Sequence, residues 1–125
     1  SLFLRLLIRK SSEEYSRHVF GAADLVVSRA GAITVSEITA LGKAAVLIPS
    51  PNVAHNHQEY NARYLEKNGA ARVIREDDLT AHLLLKTVRE ILSDGEKLSQ
   101  MKKNSAAIGI TDACETIYNE LMKLI

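Results

Sequence analysis

The stretch SRAGAITVSE, Ser28 to Glu37, combines small residues, a hydroxyl and a carboxylate at a spacing that can do chemistry. It follows the apolar run DLVV and leads into TVSEITALG, which has helical spacing, so the loop is thinnest where a strand hands over to a helix. At a helix N-terminus the first main-chain N–H groups have no intrahelical acceptor, and the helix dipole presents its positive end. Here those donors belong to Ala32, Ile33 and Thr34, and a phosphate is the natural guest. Gly31 permits a positive φ or the close approach of a ligand to the main chain. A plainer reading uses the same residues: Thr34 and Glu37 have the T-x-x-E spacing of a capping box, with Gly31 only turning the chain. Arg29, beside the loop, either pairs with the phosphate or stands solvated. The HNH triplet, His55 to His57, suggests a metal, but no Cys, Asp or Glu at ligand spacing completes a site.

The elements that would position this loop alternate strand and helix. Leu2 to Ile8 is a nearly continuous apolar strand, and Ser11 with Glu14 opens a helix in SSEEYSRHVFGA. Asp24 to Ser28 and Ala44 to Pro49 are apolar runs without in/out alternation, as in buried parallel strands. Between them a helix carries Val35, Ile38 and Leu41 and stops at Gly42. Asn56 to Gly69 forms a second such helix, and Ala70 to Ile74 a fourth strand. From Leu79 onward only helices are expected, the first capped by Thr80 and the last by Thr111 or Asp112, with Cys114 packed in the core. The charge clusters EEY, REDD and Met101 to Lys103 read as solvated faces. The fold class is α/β, and ligands of such sheets bind beyond the strand C-terminal ends, where Ser28 to Thr34 and Pro49 to His57 both lie.

Composition bounds the rest. A chain of 125 residues, 46% hydrophobic and 25% charged, is expected to form one domain. A net charge of +1 without clustered Lys and Arg argues against a general nucleic-acid surface. One cysteine, no signal-peptide arrangement and no apolar stretch near the roughly 20 residues of a membrane span fit a cytoplasmic setting.

Ala23 to Ile74, ADLVVSRAGAITVSEITALGKAAVLIPSPNVAHNHQEYNARYLEKNGAARVI, resembles the donor-binding part of the MurG family, GT-B glycosyltransferases that move N-acetylglucosamine from UDP onto lipid-linked muramoyl-pentapeptide. The resemblance implies a Rossmann-like parallel sheet, part of the C-terminal domain of such an enzyme, with a helical tail. Residues 1–125 would then be a single, partial UDP-sugar-binding domain, lacking the acceptor-binding domain and the glycine-rich loop that opens the donor domain. It implies that Ala32, Ile33 and Thr34 face the diphosphate and that Glu37 takes the ribose hydroxyls, a task for which a carboxylate can accept from two O–H groups. It sets His57 and Gln58 against the sugar, with Gln58 suited by an amide that both donates and accepts. Arg29, Gly31 and Asn61 are flanking candidates.

The implied activity is inverting transfer converting lipid I to lipid II, with no metal and no cofactor. The general base lies in the other domain, so the chain alone should not turn over. The implied partners are UDP-N-acetylglucosamine and, through the other domain, lipid I at the cytoplasmic membrane face, with no nucleic acid. An exposed sheet edge at Leu2 to Ile8 can also self-associate. Two alternatives stay open: a nucleotide-sugar subunit of a split transferase that needs a partner chain, and a fragment related to UDP-sugar epimerases.

Overall fold

The computed structural model describes residues 6–8, 23–51 and 57–124. Four parallel strands form one sheet in the order β1 (Leu6–Ile8), β2 (Leu25–Ser28), β3 (Ala44–Leu47), β4 (Ala71–Val73). Helix α1 (Ala32–Ala40) connects β2 to β3, and α2 (His57–Lys67) precedes β4. A 3-10 turn (Glu76–Asp78) leads to α3 (Ala81–Leu92) and α4 (Gly95–Met122). The helix expected from Ser11 and the start of the first strand lie outside the described residues, as do residues 52–56 of the loop after β3.

The strands lack alternation because both faces of the sheet are covered. On one face Val26, Ala45 and Leu47 pack with Ile38 of α1, Ala62 and Leu65 of α2 and Ile108 of α4. On the other, Leu25, Val27, Ala44 and Val46 pack with Val88 and Ile91 of α3 and Leu98 and Met101 of α4. Helix α4 thus serves both layers. The ladder registers Val26 with Ala45 and Ala45 with Ala71, which brings the C-terminal ends of β2, β3 and β4 to one edge.

Both glycine stops form as expected. Gly42 has φ 63° and Gly69 φ 75°. In each the glycine and the next residue donate back to the last turn: Gly42 to Thr39 and Lys43 to Ile38, then Gly69 to Glu66 and Ala70 to Leu65. This is the Schellman pattern, which needs a left-handed residue. Thr80 caps α3 as expected, its Oγ1 accepting from Leu83 N at 3.0 Å.

The tail corrects three expectations. No helix starts at Thr111 or Asp112, because α4 runs unbroken from its Asp94 cap, with no Pro or left-handed Gly to stop it. Thr111 is an interior residue whose hydroxyl donates to Ala107 O at 3.0 Å. Cys114 is exposed rather than core, since residues 111–124 are all exposed. Met101 to Lys103 is not one solvated cluster either: Met101 is buried and Lys102 Nζ lies 3.0 Å from Asp24 Oδ1.

Candidate functional site

The loop between β2 and α1 reaches the C-terminal edge of the sheet and begins the helix at Ala32. The capping box does not form. Gly31 is the N-cap and has no side chain to cap α1, and Thr34 is the third helical residue with its side chain buried. Because the helix begins two residues ahead of Thr34, the Thr34–Glu37 pair falls inside the first turns, where its spacing cannot bridge the end. Val35 N donates to Gly31 O at 3.0 Å, the first bond of the helix, so the N–H groups of Ala32, Ile33 and Thr34 have no intrahelical acceptor. Gly31 itself is extended, at φ −64° and ψ 154°, not left-handed. Among the described residues, a Cβ there would meet only Gln58 Nε2, at 3.8 Å. Glycine is therefore not demanded by the backbone at this position, and what it leaves is room.

Ala32 is exposed, Ile33 is 71% exposed, and both line an open hollow of about 380 Å³ with Ser36, Glu37 and Ala40. Glu37 thus stands on the hollow's wall, one helical turn beyond Ile33. The elements bring these three residues and the free helix end to one place.

Helix α2 meets the same loop from the other side. Gln58 Oε1 accepts from Ala30 N at 3.3 Å and from Ser50 N at 2.8 Å, tying the loop after β2 to the loop after β3. Two N–H donors can be met only by the amide oxygen, so Gln58 must turn its NH₂ away from them, toward Gly31. Asn61 Nδ2 donates to Ala30 O at 3.1 Å. His57 is exposed at the start of α2. Among the described residues, no group of three His, Cys, Asp or Glu is placed to hold a metal ion, and His55 lies outside them.

Arg29 is neither solvated nor directed to an anion alone. Its guanidinium pairs with Glu76 and donates to Ile48 O at 3.3 Å, spanning the ends of β2, β3 and β4. Both partners of the ion pair are over a third exposed, so solvent screens it and its value is geometric more than energetic. Glu76 was missed as a site-bordering residue, whereas Ser50 falls in the Pro49 to His57 loop expected at this edge. Glu76 sits in REDD, which reads as a solvated cluster because its partner is 47 residues away. With Pro49, Pro51, Glu59, Arg75 and Asp77 these two line a polar cavity of about 160 Å³ beside Gln58.

Three comparisons bear on this arrangement. A family model described as Glycosyltransferase family 28 C-terminal domain matches residues 14–117. The chain is 57% identical over 106 residues to the UDP-N-acetylglucosamine--N-acetylmuramyl-(pentapeptide) pyrophosphoryl-undecaprenol N-acetylglucosamine transferase of Acetivibrio thermocellus, covering 85% of the chain and 28% of the relative. It is 55% identical over 107 residues to the enzyme of that name from Thermoanaerobacter sp., covering 86% and 29%. The chain therefore spans less than a third of the length of these curated relatives. Among solved structures it is similar to Acinetobacter baumannii MurG, with TM-score 0.60 and 35% identity over 66% of the chain and 24% of that structure. It is also similar to the glycotransferase of kitacinnamycin, with TM-score 0.58 and 28% identity over 82% and 27%.

Proposed function

The chain belongs to the glycosyltransferase family 28 C-terminal domain family, and from that premise we propose that it is the donor-binding part of a UDP-N-acetylglucosamine transferase acting in the lipid I to lipid II step. Residues 1–125 then form one partial UDP-sugar-binding unit. The observation that carries the reading is the open N-terminus of α1, whose Ala32, Ile33 and Thr34 N–H groups stand at the C-terminal edge of a parallel sheet. The diphosphate of the donor lies against those groups, Glu37 accepts from the ribose hydroxyls, and Gln58 Nε2 and His57 face the sugar.

In inverting transfer an acceptor hydroxyl attacks the anomeric carbon and UDP leaves, so negative charge grows on the diphosphate. A preorganised helix N-terminus stabilises that charge as it develops, which is this chain's contribution to the reaction. Arg29, already paired with Glu76, adds a cation behind the loop rather than a direct ligand. The base that activates the acceptor belongs to the other domain, and the acceptor is lipid-linked at the cytoplasmic membrane face. Among the described residues no helix is long and apolar enough to cross a membrane. Among the described strands β1 lies at one end of the sheet, and a dimer through that edge is part of the proposal. Light scattering tests it, and a strict monomer removes it.

Titration calorimetry of the chain with UDP and UDP-N-acetylglucosamine, in the presence of EDTA, tests the function. Weak binding of both is expected, because contacts from the rest of the donor domain are lacking. Absence of heat and of any competition at millimolar UDP sinks the reading.

A further inference from the structure

We infer that Asn61 is a positioning residue for the anion-binding end of α1, acting through the main chain of Ala30. The inference rests on the functional reading above and deepens it. Ala30 is fully buried, so both its N–H and its C=O need partners from the protein. Neither the sheet nor the helix supplies them, since β2 ends at Ser28 and α1 begins at Ala32. Two carboxamides of α2, one helical turn apart, take their place. Gln58 Oε1 accepts the Ala30 N–H at 3.3 Å, and Asn61 Nδ2 donates to the Ala30 C=O at 3.1 Å.

Ala30 is thus gripped on both edges, directly before the residue that starts the helix. The Ala30 carbonyl belongs to the peptide that joins it to Gly31, and Gly31 O accepts the first helical bond from Val35 N. Fixing that peptide fixes the direction in which Ala32, Ile33 and Thr34 present their N–H groups. A carbonyl can be met only by a donor, so the nitrogen end of Asn61 is required and an aspartate of the same size cannot replace it. Gln58 extends the grip to Ser50 N at 2.8 Å, which makes the position of this loop depend on α2 as a whole.

Asn61→Asp in the full chain removes the donor at constant size, and Asn61→Ala removes it without adding charge. Should the Asp variant fail to fold, the Ala variant carries the same measurements. Titration with UDP and uridine is read beside amide hydrogen exchange of the ligand-free protein. UDP affinity is expected to fall about five- to thirty-fold, with a smaller fall for uridine, because the loss falls on the diphosphate contacts. In the Asp variant the deficit relative to wild type at each pH narrows toward about pH 4, where a protonated carboxyl regains a donor. Exchange is expected to speed up at Ala30, whose buried N–H is held by Gln58, and to stay unchanged in α3. Wild-type UDP affinity with wild-type exchange at Ala30 overturns the inference. So does an equal loss for UDP and uridine with exchange raised throughout, which is plain destabilisation. If the wild type itself fails to bind UDP, the functional reading falls, and the exchange comparison alone decides whether Asn61 holds the loop.

Discussion

Gly109 is the point where α4 lies against the C-terminal end of α1. A Cβ placed on it would stand 2.3 Å from Thr39 O, 2.7 Å from Thr39 C and 3.2 Å from Ala40 N. All three are main-chain atoms, so no rotamer change relieves the overlap. Close carbon–oxygen contacts settle near about 3.3 Å, which leaves a shortfall of about 1 Å that the two helices must take up by moving apart. The movement stretches the buried Ser105 Oγ to Ile38 O bond, already 3.3 Å, and loosens Ile108 in the core on that face. Overpacking costs about 1–3 kcal/mol, and alanine's helix propensity returns about 1 kcal/mol over glycine. The lost hydrogen bond adds about 1 kcal/mol to the cost. Gly109→Ala is therefore expected to destabilise by about 2 kcal/mol, a fall in Tm of roughly 5–10 °C for a chain of this size. Gly95→Ala is the control, since a Cβ there meets nothing within 4 Å, and its change is expected within about 0.5 kcal/mol. Thermal and urea unfolding followed by circular dichroism measures both. A Gly109→Ala chain that melts with or above the wild type refutes the reasoning, because the helix contact would then be slack.

Glu37→Gln is expected to lower UDP affinity by about 1–2 kcal/mol, roughly five- to thirty-fold, with Tm within about 2 °C. The stability half follows from its place inside α1, away from the cap at Gly31, where an amide of the same size keeps the volume and helix propensity of the side chain, and unchanged affinity in calorimetry removes the ribose role. Gly69→Ala places a Cβ 2.5 Å from Asn104 Nδ2, itself bonded to Gly69 O, at φ 75°, and is expected to cost about 1–2 kcal/mol in chemical denaturation. A loss under about 0.3 kcal/mol contradicts the left-handed stop. Among the described residues, ending the chain after Thr111 removes only exposed ones, and it is expected to leave Tm within about 3 °C, whereas a collapse of the melting transition would mean that the tail supports the core.

Much of the fold is legible because its signals are local. Gly42 and Gly69 mark helix ends by a conformation few other residues adopt, and the unalternating runs around Val26 and Val46 announce strands covered on both faces. The tail is less legible, since Thr111 and Asp112 are good caps in isolation and nothing local says that the helix begun at Gly95 runs on through them. In the site, the position of the Ala32 to Thr34 amides follows from a strand, a thin loop and a helix in succession. The capping box fails by a shift of three residues in the helix start, which spacing alone does not resolve. The partners of Arg29 and Asn61 lie 47 and 31 residues away, so their bonds depend on the sheet bringing the ends of β2, β3 and β4 to one edge.

The central claim is that the open N-terminus of α1 receives a diphosphate. Amide chemical shifts of the ¹⁵N-labelled chain, titrated separately with UDP and with uridine, test it most directly. With UDP the largest shifts are expected at Ala32, Ile33 and Thr34, with uridine moving these amides far less, since only UDP brings the anion to the helix end. If millimolar UDP leaves those three amides in place, or shifts them no more than uridine does, the diphosphate does not bind there.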